Sequence, residues 1–350
     1  MDPSPPSPSS PPRSPRLART IGALLGVHAG DALGATLEFR SWASIRRDYP
    51  QGLRNIVGGG PFHWAPGHAT DDTDLTRAVL LAYRDAHSHA RSDQADDDDD
   101  NFDVSRAAGA HMLAWLDGFW PNRRPGSRPP DVGGATATGL AAFRQTGDPG
   151  RAGAGPGQAG NGSLMRCVAT GLFARDWDAL VAESMRVSAV THDDLRCTVA
   201  CAAYNAVVRE LVEGKEPAAA VETGLGVAGA LEEGAGTGGS PVRDAIELGR
   251  RLGVAVMAEN GPAALPGKGA GYVLESLTIA VAAVLDPRPL VDVLVDVVRI
   301  GSDTDTNGAI AGGLLGARDG VDALPEEWVE VLQFADEFVE IATELTAGGD

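Results

Sequence analysis

Gly301-Ser302-Asp303-Thr304-Asp305-Thr306-Asn307-Gly308-Ala309-Ile310-Ala311-Gly312-Gly313-Leu314-Leu315-Gly316 carries three kinds of information in one stretch. Ile310, Ala311, Leu314 and Leu315 recur at helical spacing, so the segment reads as a helix whose start lies at the Asp/Thr cluster. Gly308, Gly312 and Gly316 stand four residues apart, which leaves one face of that helix without side chains. A glycine in a helix interior costs about 1 kcal/mol relative to alanine, so three on one face imply a packing demand from another helix. The reading is a central helix whose N-terminus delivers Asp303, Asp305 and Thr306 to a cleft.

A second cluster of the same kind stands far away in the chain. Thr70-Asp71-Asp72-Thr73-Asp74 is followed by Leu75, Ala78, Val79 and Ala82 at helical spacing. One Asp or Thr at a helix start is an ordinary cap, since it accepts from unpaired backbone N–H groups at the positive end of the dipole. Capping explains one carboxylate in each cluster and leaves the rest repelling each other. A cation held between the two helix ends relieves that repulsion. Carboxylate and hydroxyl oxygens are the ligands of Mg²⁺, Mn²⁺ or Ca²⁺, and the set does not suit zinc.

The remaining composition narrows the fold and the partners. Aromatic residues are few, Ala and Gly are abundant and alternating runs are short, which predicts an all-α fold. The clusters span most of the 350 residues, so a single compact helical domain with a central metal cleft is expected over residues 17–346. Met1 to Arg16 is rich in Pro and Ser and reads as a disordered tail, and Asp96 to Asp100 as a solvated acidic loop. The formal charge of −19 argues against general nucleic-acid binding and against anionic membranes. Ile21 to Ala29 is too short to span a bilayer. Cys167, Cys197 and Cys201 give no disulfide framework and read as buried apolar groups, which makes the cytoplasm the expected compartment; a monomer is the expected state.

Three Gly/Pro-rich stretches, Pro121 to Gly134, Gly147 to Gly160 and Glu233 to Pro241, read as surface connections or active-site loops. The second runs into Asn161-Gly162-Ser163, small residues that let backbone N–H groups approach an anion, with Arg166 as added charge. A plain turn is the competing reading of that segment. His192, beside Thr191 at the start of another helical run, is by itself as well explained by a structural role.

The order of these motifs resembles a known family. Gly26-Val27-His28-Ala29-Gly30-Asp31-Ala32-Leu33-Gly34 with Glu38 comes first, followed by the Thr70 cluster. Asn161-Gly162-Ser163-Leu164-Met165-Arg166, Thr191-His192 and the Asp303 cluster complete the series, which is similar to the ADP-ribosylglycohydrolase family and its dinitrogenase-reductase-activating branch. That resemblance implies an all-helical enzyme that holds a pair of Mg²⁺ or Mn²⁺ ions and hydrolyses the glycosidic bond at C1″, freeing ADP-ribose from a modified protein or other acceptor. It implies Thr70, Asp71 and Asp72 on one side of the metal pair, and Asp303, Asp305 and Thr306 on the other. It also implies Glu38 as the catalytic carboxylate, Asp131 as a second candidate base, and Asn161, Gly162, Ser163 and His192 as substrate-binding residues. Asp31 is expected to fix the first helix or to support the metal ligands from behind. The competing expectation is a module that recognises ADP-ribose or a modified partner with little turnover.

Overall fold

The computed structural model describes residues 13–91, 102–236, 238–265, 267 and 271–347. Sixteen α-helices and four short 3₁₀ turns make up its regular structure, with no strand among the described residues. Isolated bridges join Gly59 to Trp64 and Gly160 to Tyr272. The all-α expectation holds, in one compact helical domain. No helix among the described residues is long and apolar enough to cross a membrane.

Two helices form the axis of the domain. The N-terminal helix, Pro15–Gly34, is buried on every side from Thr20 onward, and the glycine helix, Thr304–Asp319, is buried from Thr304 to Ala317. A helix covered all round must lie at the centre of the packing. The partner demanded by the glycine face proves to be the N-terminal helix, which brings its own row of Gly22, Gly26, Gly30 and Gly34. A Cβ on Gly26 would overlap the Gly312 carbonyl, one on Gly30 the Gly308 carbonyl, and one on Gly22 the Gly316 carbonyl. The helices therefore run antiparallel with backbone against backbone, and Thr304 Oγ1 donates to the Gly34 carbonyl at 2.7 Å where the row ends.

This antiparallel pairing places the site. The C-terminus of one helix, leading to Glu38, and the N-terminus of the other, carrying Asp303 and Asp305, share one end of the bundle. The helix Asp71–Ala90 joins them there through its first turn. Its Asp74 turns away from that end and accepts the indole N–H groups of Trp115 at 2.8 Å and Trp120 at 2.7 Å. Burial pushes the Asp74 carboxyl up to about 7 despite those bonds.

Two expectations meet the structure at their edges. The N-terminal helix begins at Pro15, capped by Ser14, and Arg16 pairs with Glu213 at 2.9 Å, so this helix starts inside the stretch read as tail. The proline fits because the first helical position needs no N–H. Residues 1–12 and the acidic run Asp96 to Asp100 lie outside the described residues.

The glycine contact is testable against an internal control. Gly312→Ala must force the two backbones apart and should destabilise the fold by about 3 kcal/mol or more in denaturant titration. Gly226→Ala, in the middle of the helix Pro217–Ala235 with open space around its Cβ, should stabilise by about 0.5–1 kcal/mol. Equal effects of the two changes would contradict the proposed packing.

Candidate metal and active site

The first cluster is built by a carboxylate from outside it. Thr70 caps its own helix by accepting from the Asp72 N–H at 3.3 Å. Asp31, on the N-terminal helix, accepts from the backbone of Thr70 at 3.1 Å, the backbone of Thr73 at 3.3 Å and the hydroxyl of Thr73 at 2.5 Å. Its role is thus to lock the start of a neighbouring helix onto its own. With the N–H groups taken by Thr70 and Asp31, the side chains of Asp71 and Asp72 are released from capping. Burial pushes Asp31 up to about 6, against the pull of the Thr73 and Thr70 bonds.

The second cluster meets the first across the bundle. Thr306 Oγ1 lies 3.4 Å and Thr70 Oγ1 3.1 Å from the same oxygen of Asp72. Glu38, Asp131 and Asp305 each bring a carboxylate oxygen to within 4.8 Å of the others. Asp305 and Asp131 thus crowd Glu38, and Asp131 adds its charge to that felt by Asp71. Asp303 accepts from Asn161 Nδ2 at 2.8 Å, and the same amide reaches Ser276 Oγ at 3.0 Å.

Glu38, Asp71, Asp131, Asn161, Asp303, Asp305 and Thr306 line a cavity of about 320 Å³ whose described lining contains no Lys or Arg. Burial holds Asp71, Asp72 and Asp305 well above the ordinary carboxylate range, and their acidic neighbours add to it. Glu38 is pushed to about 8 by burial first and then by Asp131, Asp303 and Asp31, and Asp131 to about 6 by burial and Asp303. Glu38 Oε2, Asp72 Oδ1 and Asp305 Oδ1 are buried without a hydrogen-bond partner. Buried carboxylate oxygens without donors, crowded together with hydroxyls, fit a hard divalent cation.

The opposite wall is neutral and close-packed. Asn161 N–H donates to the Gly271 carbonyl at 2.9 Å and Val273 N–H to Ala159 at 3.1 Å, which pins the Gly160 bend against Tyr272. Asn161, Gly162 and His192 line the cavity, and Gly160 joins them. His192 Nδ1 pairs with Thr191 Oγ1 at 2.7 Å, and burial lowers its pKa to about 3, so the ring is neutral.

Two residues of that segment take other positions. The Ser163 hydroxyl points inward, 2.9 Å from Ser188 Oγ and 3.6 Å from Cys201 Sγ, and Ser163 is not among the residues lining the cavity. Arg166 is fully buried and donates to the Gly162 carbonyl, to Thr191 Oγ1 at 2.7 Å and to Val187 at 3.3 Å. It fastens the two halves of the wall and supplies no free charge to the cavity. Thr70 and Asp72 stand behind the lining, while Phe39, the Gly133–Thr136 turn, Met165 and Gly271 join it unforeseen. Of these, Met165 stands inside the Asn161 to Arg166 motif and Gly133 in the Pro121 to Gly134 loop. All three cysteines are free and buried.

A profile of the ADP-ribosylglycohydrolase family matches residues 12–350. The "ADP-ribosylarginine hydrolase Tri1" of Pseudomonas putida (strain GB-1) is 29% identical over 332 residues, covering 94% of this chain and 78% of that protein. The "ADP-ribosyl-[dinitrogen reductase] glycohydrolase" of Rhodospirillum rubrum is 28% identical over 316 residues, covering 90% of each. A solved structure of an "ADP-ribosylglycohydrolase-related protein complex" superposes with a TM-score of 0.71 at 27% identity, covering 95% of this chain and 98% of that one. The carboxylate cavity at the meeting of the two glycine rows is therefore set in a chain that belongs to the ADP-ribosylglycohydrolase family.

Proposed function

We propose that the protein hydrolyses the C1″ glycosidic bond of an ADP-ribosylated protein, using a pair of Mg²⁺ or Mn²⁺ ions held between the two clusters. The family supplies the reaction class, an ADP-ribosyl-acceptor hydrolase. The observation that carries the finer reading is the convergence of Glu38, Asp131 and Asp305 with Asp71 and Asp303 on one cavity, with buried carboxylate oxygens that no donor satisfies. An arginine-linked acceptor is favoured by the likeness to the arginine hydrolase and by the carboxylates around Glu38, with no Lys or Arg in the described lining.

Roles for the residues follow from their positions. Thr70, Asp71, Asp72, Asp303, Asp305 and Thr306 would hold the ions, which, when bound, supply positive charge to orient the ribose hydroxyls and a water. Glu38 takes the proton from that water as it attacks C1″ through an oxocarbenium-like state. Asp131, within reach of Glu38, is the second carboxylate able to move a proton at the leaving group. The N–H groups and small side chains of Gly160 to Gly162 receive the diphosphate, and neutral His192 packs against it.

Three measurements test this reading. Asp71→Asn and Asp303→Asn should each abolish hydrolysis, with the double variant scarcely worse than either in turnover and calorimetric Mn²⁺ binding, because the residues serve one site. Additive partial losses would separate the clusters.

Glu38→Gln should lower single-turnover hydrolysis by roughly 10²- to 10⁴-fold while ADP-ribose affinity changes far less. Near-normal turnover would transfer the role to Asp131. A wild-type protein that binds ADP-ribose without turnover would leave the recognition module as the reading.

The third concerns pH. Glu38, Asp31 and Asp131 hold their protons at about 8, 6 and 6 in the fold, above their values in an unfolded chain. The stability they contribute is therefore full at low pH and is lost as pH rises through 6 to 8. In a chelator, the melting temperature should fall as pH rises from about 4, the unfolded carboxylate range, to about 8. With saturating Mg²⁺ the fall should vanish or reverse, because deprotonated ligands bind the ion. The same slope with and without Mg²⁺ would count against the cation site.

A further inference from the structure

Phe39 combines two unfavourable features at the cavity mouth. Its side chain is 64% exposed although it lines the cavity beside Glu38, Asp71 and Asp131. Its backbone has φ of 61°, a left-handed conformation that aromatic side chains rarely adopt. The conformation is imposed from outside: Phe39 N–H donates to the Ser302 carbonyl at 2.8 Å, and Ser302 N–H, itself at φ 71°, donates to Arg40 at 2.8 Å. The second cluster thus aims the residue that follows Glu38. Strain that leaves an aromatic ring in solvent gains nothing for the fold, and such outliers concentrate at ligand sites.

The ring does not stand alone. Phe62 meets it edge-on with centroids 6.5 Å apart, Trp64 lies 5.5 Å from Phe62, and His68 stacks on Trp64 at 4.6 Å. The loop that carries these rings is fastened to the end of the N-terminal helix, where Thr36 Oγ1 donates to the Gly58 carbonyl at 3.0 Å. Arg40, the nearest cation in sequence, is engaged with Ser44 and Asp48 and leaves the face of Phe39 free of it.

We propose that Phe39, backed by Phe62 and Trp64, is the acceptor platform: a planar cationic group, the guanidinium of a modified arginine, lies against its ring with Glu38 and Asp131 at the edge. A guanidinium stacks on an aromatic face and pairs with carboxylates at its rim, which an ammonium or a hydroxyl does less well. The Gly160 to Gly162 wall takes the ADP side of the same ligand, so the platform decides what hangs from C1″. This assignment rests on the proposed hydrolase reading.

The test compares Phe39→Leu, which keeps an apolar side chain but removes the ring face, with Phe39→Trp, which restores one. On an arginine-linked ADP-ribosyl peptide, Phe39→Leu should lower kcat/KM by about 3- to 30-fold and Phe39→Trp should recover it. The rate ratio of arginine-linked to serine-linked peptide should fall in the Leu variant, and the Kd for free ADP-ribose should stay within about twofold. Equal loss on both peptides without rescue by Trp would make Phe39 a support for Glu38 and overturn the platform. If the wild-type protein turns over neither peptide, the hydrolase reading fails by itself. The platform is then judged on the ADP-ribose-loaded protein, which must bind N-acetylarginine amide more tightly than N-acetyllysine amide, with the preference lost in Phe39→Leu; no preference overturns it.

Discussion

Gly22, Gly26, Gly30 and Gly34 on one helix and Gly308, Gly312 and Gly316 on another let two backbones touch, and the remaining helices are arranged around that contact. Side chains of ordinary size would hold the axes about 8–10 Å apart. At the shorter separation, Glu38 and the Asp303 cluster reach one cavity from opposite directions. The close approach also explains how a chain with few aromatic residues fills its centre, since backbone atoms replace side chains there.

The same contact creates a problem that the site must manage. It gathers Asp31, Glu38, Asp71, Asp72 and Asp305 beside Asp303, and burial penalises the charged forms of the first five. The protein divides these carboxylates between structure and chemistry. Asp31 satisfies the start of the Asp71 helix and Asp74 takes two indoles on the far side, so the first cluster keeps Asp71 for the cavity, with Asp72 behind it against Thr70 and Thr306. Arg166 follows the same logic on the neutral wall, where its guanidinium holds Gly162 and Thr191 in register and leaves the cavity acidic. Such an arrangement trades stability for a site that is preorganised before ligand or ion arrives.

Much of this was legible from residue order. The helical period after each cluster, the oxygen-rich ligand chemistry and the side-chain-free face of the glycine helix were all readable without coordinates, because each depends only on neighbours within a few positions. Asn161, Gly162 and His192 were found through their place in a series of motifs. The Ser163 hydroxyl and the Arg166 guanidinium face the core, and nothing local distinguishes such groups from ones that face a ligand. Phe39 was passed over because a left-handed aromatic leaves no mark in composition or period.

The sequence by itself determined the helical class, the two clusters and the demand for a glycine-bearing partner, since helix period and ligand type are properties of short segments. Tertiary structure decided that the partner is the helix ending near Glu38, that Asp31 caps a helix other than its own, and which polar side chains enter the cavity. It also decided the exposure of Phe39, whose N–H is held by the Ser302 carbonyl while the Ser302 N–H is held by the carbonyl of Arg40. The physical reason is that these outcomes depend on pairings between residues as much as 270 positions apart, as in the Thr304 to Gly34 bond, where the geometry of the whole bundle sets the distance.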